Sequence, residues 1–338
     1  MQAVVLRGPG DLAVESVADP TPGPGELVLR VAACGICGTD VHLYQAGALP
    51  PGSIPGHEFC GEVMESAHGF TAGDWVCALP ALSCGDCPRC RSGLGAYCLT
   101  QRTAGMGSAP GAFAEYVAVA AHETLRLPGT LGAEAGALVE PLAVALHATR
   151  VGRVRREESC VILGAGPIGL SALVWARHFG AGEILVSDPA PGRRAMAERL
   201  GASATCAPAD LADHLAARGP EGPQVVIEAV GAPGLIQSAI DSVGFRGRVV
   251  VAGVCMSPDT VSPLTAITRE ATLQFVLAYE KDDFQYTIDM LDHGRIDPFP
   301  MVTGRTGLDG VPGAFAALSN AGDECKTLYL SSQAANPS

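Results

Sequence analysis

Hydrophobic and polar positions change their spacing once along the chain, near Glu134. Before this point, short runs of alternating apolar and polar residues end at turns rich in glycine and proline, which is typical of β-strands. The predicted strands are 3–6, 12–15, 26–32, 56–63, 74–79 and 111–119. This part therefore predicts an all-β body with an open, partly barrel-like sheet.

After Glu134 the apolar residues follow helical spacing over 133–150, interrupted only by Pro141. Strands and helices then alternate, which is typical of parallel βαβ units in a doubly wound sheet. The predicted strands are 159–163, 183–187, 224–229, 248–252 and 272–277, and the predicted helices are 168–179, 193–200 and 234–243. A helix at 284–293 and a strand at 325–330 follow, and we expect this tail to rejoin the first sheet. The alternation predicts an α/β fold class. Two domains are expected, since 338 residues are long for one core.

Composition excludes several classes of protein. The net charge is −13 without a basic block, so we expect no nucleic-acid partner. We find no run of about 18 apolar residues that would span a membrane. The N-terminus does not resemble a signal peptide, which predicts a cytoplasmic protein. In that compartment, twelve cysteines with four closely clustered favour metal binding over disulfides.

A glycine-rich turn joins the predicted strand 159–163 to a helix. Gly164, Gly166 and Gly169 give the GxGxxG spacing, which lets a pyrophosphate approach the backbone at a helix N-terminus. Asp188 ends the next strand, where its carboxylate can bind ribose hydroxyls and repel a 2′-phosphate. This favours NAD over NADP, although the nearby Arg193 can accommodate the extra phosphate.

Four cysteines lie within fifteen residues, at Cys84, Cys87, Cys90 and Cys98. Four thiolates with short spacings can close a tetrahedral zinc site and leave no position for a substrate, so this zinc would be structural. An iron–sulfur cluster or a redox dithiol is the alternative, but nothing else in the sequence indicates electron transfer.

A second group of metal-binding residue types lies around Cys37. Thr39 and His42 are three residues apart, so a helical turn after Cys37 would place both on one side as a proton relay. His57-Glu58 follows a Pro-Gly turn, and Glu140 begins the helix that leads to the second domain. A thiolate, an imidazole and carboxylates are ligands for a catalytic zinc that keeps one position open.

With these motifs the chain resembles the medium-chain zinc-dependent alcohol dehydrogenases over nearly its whole length, most nearly the polyol, butanediol and threonine dehydrogenase branch. The resemblance implies a GroES-like catalytic domain at 1–145, completed by 285–338, and a Rossmann domain at 146–284. It implies two zinc ions per chain, NAD, a small alcohol or ketone as substrate, and hydride transfer between substrate and nicotinamide. It also implies a homodimer or homotetramer joined at the edge strand 272–277.

Residue roles are carried over by position. Cys37 and His57 would bind the catalytic zinc, Asp40 would orient the histidine, and it stays open whether Glu58 or Glu140 is the direct carboxylate ligand. Further cofactor residues are Pro167 and Ile168 in the turn, Arg193 at the adenosine, Lys326 at the pyrophosphate, and Val230, Ala252, Val254 and Val276.

The substrate is the least defined part. By the same resemblance, Ala278 and Leu43 stand where the sorbitol-type enzymes carry an arginine and a tyrosine that anchor the hydroxyl chain, which favours a less hydroxylated secondary alcohol. Phe59, Phe113 and Leu277 are either pocket walls or ordinary core. The alternatives are a zinc-free enoyl or quinone reductase on the same fold and a non-catalytic protein that binds zinc and nucleotide. The presence of Cys37, His57 and Glu58 argues against a zinc-free reductase, and the Thr39/His42 relay argues against a non-catalytic protein.

Overall fold

Two β-sheets form the frame of the molecule, and one long helix contacts both. The fold is given by a computed structural model, which describes residues 1–319 and 322–332. The strands are β1 Gln2–Gly8, β2 Asp11–Ser16, β3 Glu26–Gly35, β4 Glu58–Val63, β5 Trp75–Ala78, β6 Ala81–Leu82, β7 Arg102–Thr103, β8 Tyr116–Ala120, β9 Thr124–Arg126, β10 Cys160–Leu163, β11 Ile184–Ser187, β12 Ala204–Cys206, β13 Val225–Glu228, β14 Arg248–Val251, β15 Thr272–Phe275, β16 Val302–Thr306 and β17 Lys326–Leu330. The helices are α1 Gly38–Ala46, α2 Pro88–Arg91, α3 Ala133–Val151, α4 Pro167–His178, α5 Pro191–Arg199, α6 Leu211–Ala216, α7 Leu235–Ser242, α8 Pro263–Thr268, α9 Lys281–Asp292 and α10 Val311–Leu318.

The first sheet joins the two ends of the chain. Its strand order is β16-β17-β3-β4-β5-β9, and β8 also pairs with β3. β17 runs antiparallel to β3 and places Leu328 opposite Gly35, so the C-terminal tail lies beside the segment that leads into α1. This pairing brings Lys326 close to the predicted metal ligands.

The second sheet is parallel throughout, with the order β12-β11-β10-β13-β14-β15. This is the doubly wound dinucleotide-binding order: β11 and β12 are added on one side of β10, and the chain then returns to add β13, β14 and β15 on the other side. All residues of β10, β11 and β13 are buried, because helices cover both faces of the sheet. The predicted fold class is confirmed.

Helix α3 packs between the sheets. Its residues share one hydrophobic core with residues of both sheets. The indole of Trp175 on α4 donates a 2.8 Å hydrogen bond to the carbonyl of Leu142. Helix α3 therefore fixes Glu140 at a defined place between the two halves.

The structure differs from the predicted elements in a few places. The strand predicted at 111–119 begins only at Tyr116, because the amides of Gly111, Ala112 and Phe113 bind carbonyls of residues 54–56. The short elements that were not predicted are β6, β7, β9, β12, β16, α2, α6, α8 and α10. No helix within residues 1–319 and 322–332 is long and apolar enough to cross a membrane.

Candidate active site

Cys37 stands at the N-terminus of helix α1 and is half-buried. Its backbone amide donates to Oδ2 of Asp40 at 3.1 Å, which closes the first turn of the helix. The helix predicted after Cys37 is present, with Thr39 half-buried in its first turn and His42 exposed.

His57 lies directly before β4, and Glu58 is the first residue of that strand. Both side chains are buried. Nδ1 of His57 is 3.1 Å from Oδ1 of Asp40, an arrangement that leaves Nε2 of the ring for a metal. Cys37, His57 and Glu58 each offer one potential ligand atom, and these three atoms lie within 4.8 Å of one another. The structure thus brings Cys37 together with the adjacent pair His57-Glu58.

The charge around these atoms favours a cation. Burial by itself lowers the pKa of His57, but the Asp40 carboxylate and the Cys37 thiolate outweigh this and raise the pKa well above its usual range. A divalent cation would supply the positive charge that this environment favours. The residues therefore fit a zinc ion.

Lys326 contacts this cluster directly, which the sequence did not reveal. Its fully buried Nζ lies 2.8 and 2.6 Å from the two oxygens of Glu58 and 3.0 Å from the carbonyl of Ile36, which uses all three of its donors. Gly35 makes room for this pair, since a Cβ there would lie 2.1 Å from Oε2 of Glu58. The predicted contact of Lys326 with a pyrophosphate stays a prediction.

Glu140 lies beside the cluster but outside the group of converging atoms. Burial, and then the charge of Glu58, raise the pKa of Glu140 to about 7, while His57, Tyr279 and Lys326 oppose the rise. Tyr279 is buried next to Glu140, and burial followed by the charge of Glu140 raises the pKa of the tyrosine well above its usual range. No spacing in the sequence pointed to this tyrosine.

The four cysteines of the loop at 84–98 converge on one point. The Sγ atom of Cys87 lies 3.4 Å from that of Cys90 and 3.9 Å from that of Cys98, and Cys84 lies 3.9 Å from Cys90. A tetrahedron with Zn–S bonds of about 2.3 Å has edges of about 3.8 Å, so these thiols fit zinc.

Electrostatics of the same loop support a cation. The backbone amides of Leu99 and Cys90 lower the pKa of Cys87 to about 6, whereas burial and the neighbouring thiols raise the pKa of Cys90 to about 12. Four thiolates this close together can all ionise only when a cation compensates their charge. None of the twelve cysteines, all of them within the described residues, forms a disulfide.

The glycine turn lies between β10 and α4, as predicted. Gly164 has φ +96°, and a Cβ on Gly169 would lie 1.9 Å from the carbonyl oxygen of Gly164, so the turn requires both glycines. A Cβ on Gly166 would meet nothing within 4 Å, which leaves space above the first turn of α4, where Pro167 and Ile168 lie. This is the arrangement that binds a pyrophosphate.

Asp188 follows β11 and contacts the same turn. Its Oδ2 accepts from the amide of Ala165 at 2.7 Å, and its Oδ1 accepts from the amide of Ala190 at 2.8 Å. Each carboxylate oxygen keeps a second lone pair that a ribose hydroxyl can use. Arg193 is half-buried, and its guanidinium donates to the carbonyl of Glu324.

The remaining predicted cofactor residues follow the carboxyl ends of parallel strands. Val230 comes after β13, Ala252 and Val254 after β14, and Val276 after β15. They therefore share one edge of the sheet with the glycine turn, which is where ligands bind in such folds. Val230 and Val254 are exposed.

Comparison with known proteins places the chain in a family. Residues 23–129 match the alcohol dehydrogenase GroES-like domain, and residues 167–293 match the zinc-binding dehydrogenase domain. A 2-dehydro-3-deoxy-L-galactonate 5-dehydrogenase of Pseudoalteromonas atlantica is 36% identical over 87% of this chain and 88% of its own. An L-threonine 3-dehydrogenase of Klebsiella pneumoniae is 29% identical over 93% of this chain and 94% of its own. The crystal structure of a zinc-binding dehydrogenase from Sinorhizobium meliloti bound to NADP superposes with a TM-score of 0.88, at 32% identity over 97% of this chain and 98% of that chain.

The chain belongs to the zinc-dependent alcohol dehydrogenase family. It is an oxidoreductase that acts on CH–OH groups, with zinc and NAD(P) as cofactors. The predicted family, fold class and enzyme class are confirmed. The comparisons leave the choice between NAD and NADP undecided.

The substrate side of this alcohol dehydrogenase is defined only in part. Phe59 and Phe113 are core residues, because both are buried and Phe113 packs edge-on against Phe315 with ring centroids 5.6 Å apart. Leu277 is exposed, and its carbonyl accepts a hydrogen bond from the Tyr97 hydroxyl. Ala278 has φ +54°, an unusual conformation for a residue with a Cβ, at a position next to Tyr279.

Proposed function

We propose that this protein reversibly oxidises a small secondary alcohol to a ketone with NAD as hydride acceptor. The observation that carries the proposal is the convergence of Cys37, His57 and Glu58 within 4.8 Å. The proposed cofactor site is close by, because Arg193 donates to the carbonyl of Glu324, two residues before Lys326, and Lys326 binds Glu58.

We assign Cys37, His57 and Glu58 as the protein ligands of a catalytic zinc. Glu58 can bind Lys326 and a metal together, since each carboxylate oxygen has two lone pairs. Glu140 is buried next to these ligands without being one of the three converging groups, and we infer that it acts through a water molecule. A zinc ion at these ligands would supply Lewis acidity, which lowers the pKa of an alcohol hydroxyl.

Thr39 and His42 form the proposed proton exit. Thr39 is half-buried in the first turn of α1, where its hydroxyl can accept the substrate's proton and release its own towards His42. His42 lies one turn further along and is exposed, so it can pass the proton to solvent. When bound, NAD would supply a nicotinamide as hydride acceptor, and the glycine turn at 164–169 together with Asp188 would hold its pyrophosphate and ribose.

The substrate class follows from Ala278 and Leu43, which offer no polar anchor for a long hydroxyl chain. Relatives of this chain are named for a sugar acid and for threonine, both of which carry a secondary hydroxyl beside a polar group. We therefore place the substrate among short secondary alcohols, including diols and hydroxy acids, rather than among long polyols.

We further propose a homodimer or a homotetramer built from dimers. β15 is an edge strand, and every one of its residues is exposed. Large apolar side chains on or near this edge are exposed, namely Leu264, Ile267, Leu273, Phe275 and Leu277. Pairing of β15 with the β15 of a second subunit would give hydrogen-bond partners to the backbone N–H and C=O groups of this edge and would bury these residues.

A cytoplasmic location fits the four converging thiols, because a thiolate metal site needs reduced cysteines.

The decisive experiment is a panel of simple secondary alcohols, vicinal diols, polyols, hydroxy acids and hydroxy amino acids, assayed by NADH formation with zinc-loaded protein. We expect activity with at least one short secondary alcohol and only the background rate in Cys37→Ser. Cys255→Ser, outside both metal clusters, is the matched control and should keep full activity. Absence of oxidation of every alcohol and of reduction of every matching ketone, in protein with full zinc content, would refute the proposal.

A further inference from the structure

Two contacts join the C-terminal segment to the start of helix α5. Oδ1 of Asp323 accepts a 2.7 Å hydrogen bond from the amide of Gly192. The carbonyl of Glu324 accepts from Nε and Nη2 of Arg193 at 3.1 and 2.7 Å. The segment comes directly before β17, so a part of the catalytic domain touches the nucleotide-binding half.

These contacts lie beside the predicted adenosine site. α5 begins at Pro191, three residues after Asp188, the carboxylate placed to bind the ribose. Gly192 permits the approach, because a Cβ at that position would lie 2.4 Å from Cγ of Asp323. Asp323 therefore adds a second carboxylate to the region that already holds Asp188.

The two arginines of this region are both engaged by protein carbonyls. Arg193 binds Glu324, and Nη1 of Arg194 lies 2.7 Å from the carbonyl of Asp188 and 2.9 Å from that of Pro189. The region thus contains the two carboxylates of Asp188 and Asp323 and two guanidinium groups that are already hydrogen-bonded to backbone carbonyls.

We propose that Asp323 is a specificity-determining residue that excludes dinucleotides with a 2′-phosphate. The 2′-phosphate would carry about two negative charges close to Asp188 and Asp323, and the start of α5, which would otherwise attract it, is occupied by Asp323. To bind NADP, the protein would have to displace Asp323 from Gly192 and release Arg193 from Glu324. NAD requires neither change.

This inference rests on the proposed cofactor site at Asp188, but its test needs no alcohol substrate. Dissociation constants for NADH and NADPH, and for the fragments 5′-AMP and 2′,5′-ADP, are measured by calorimetry on the zinc-loaded wild-type protein and on two variants. Asp323→Asn keeps the side-chain shape and an acceptor for Gly192 but removes the charge. Glu324→Gln removes one charge from the next residue and leaves the carbonyl that binds Arg193 in place.

We expect wild type to bind NADH more tightly than NADPH. In Asp323→Asn, the ratio of the NADPH to the NADH dissociation constant should fall roughly tenfold, the size of effect of one charge a few ångströms from a phosphate. The fragment pair should show the same fall, and Glu324→Gln should change the ratio less than about threefold.

Equal changes of the NADPH-to-NADH ratio in the two variants would mean that the ratio responds to the net charge of the segment and not to the position of Asp323. An unchanged ratio in Asp323→Asn would mean that Asp323 has no part in specificity. Either result overturns the inference. Tight NADH binding without any alcohol oxidation would instead refute the proposed reaction and leave the role of Asp323 standing.

Discussion

Lys326 and Glu58 depend on each other, because both are buried and each neutralises the other. In metal-free protein, Lys326→Met keeps the chain length but leaves the carboxylate of Glu58 without a cation. Removing one partner of a buried pair costs about 3–5 kcal/mol, so we expect the free energy of unfolding in urea to fall by that amount. Arg7→Gln is the control, since Arg7 and Glu15 form an exposed pair and their loss should cost less than about 1 kcal/mol. A cost for Lys326→Met as small as that of the control would mean that the pair contributes little.

Asp40 acts on the proposed metal site through His57. Its Oδ1 faces Nδ1 of the ring, and its Oδ2 binds the amide of Cys37, so one carboxylate orients two proposed ligands. Asp40→Asn should weaken zinc binding at this site about 10–100-fold, measured by competition with a chelator. The four-cysteine site provides an internal reference in the same sample, and Asp11→Asn on the exposed strand β2 provides a matched variant. Unchanged zinc affinity would remove Asp40 from its supporting role.

At the scale of elements, helix α9 is held to α3 by Asp283. Nδ1 of His147 lies 3.2 Å from Oδ2 of Asp283, and Nη1 of Arg150 lies 2.5 Å from its Oδ1. Oδ2 also accepts from the amide of Glu280 at the start of α9. Burial raises the pKa of Asp283, but these hydrogen bonds and the charge of Arg150 outweigh it, so the pKa is lowered overall.

A lowered pKa in the folded state means that the ionised carboxylate stabilises the fold. This contribution is complete above the usual pKa of an aspartate and is lost as the pH falls through the lowered value. We expect Asp283→Asn to be less stable than wild type near pH 7, with the difference shrinking in the acid range, as followed by urea unfolding at several pH values. Asp282→Asn on the exposed side of the same helix should show no such pH dependence. A difference that stays constant with pH would contradict the assignment.

The sequence predicted elements well where turns mark their ends. The strands at 159–163 and 183–187 lie next to glycine, and their hydrophobic runs match β10 and β11 closely. The strand predicted at 111–119 started too early, since the amides of Gly111 and Phe113 pair with a distant loop, and local alternation cannot show this. Elements as short as β12 and β16 carry too few residues for a pattern.

At the scale of the whole molecule, the edge strand β15 is the proposed dimer contact. Phe275 is 59% exposed on this edge, so Phe275→Lys should place charge in the interface and shift the protein towards monomers in sedimentation experiments. Phe245→Lys, at a residue that is equally exposed but lies outside β15, is the control. An unchanged oligomer in Phe275→Lys, or a monomeric wild type, would contradict the proposed contact.

The sequence by itself determined the residue types of both proposed metal sites, the glycine turn and the change from a β-rich part to alternating strands and helices. These features depend on short spacings and on local periodicity, which a single chain displays directly. The four-cysteine loop is the clearest case, because its ligands lie within fifteen residues of one another.

Only the tertiary structure decided which distant residues meet. Pairing of β17 with β3 brings Lys326 to Glu58, and the segment before β17 brings Asp323 to Gly192. The packing of α3 between the sheets buries Glu140 beside, but outside, the group of Cys37, His57 and Glu58. Such contacts follow from strand order and helix packing between distant parts of the chain, and no local spacing in the sequence encodes them.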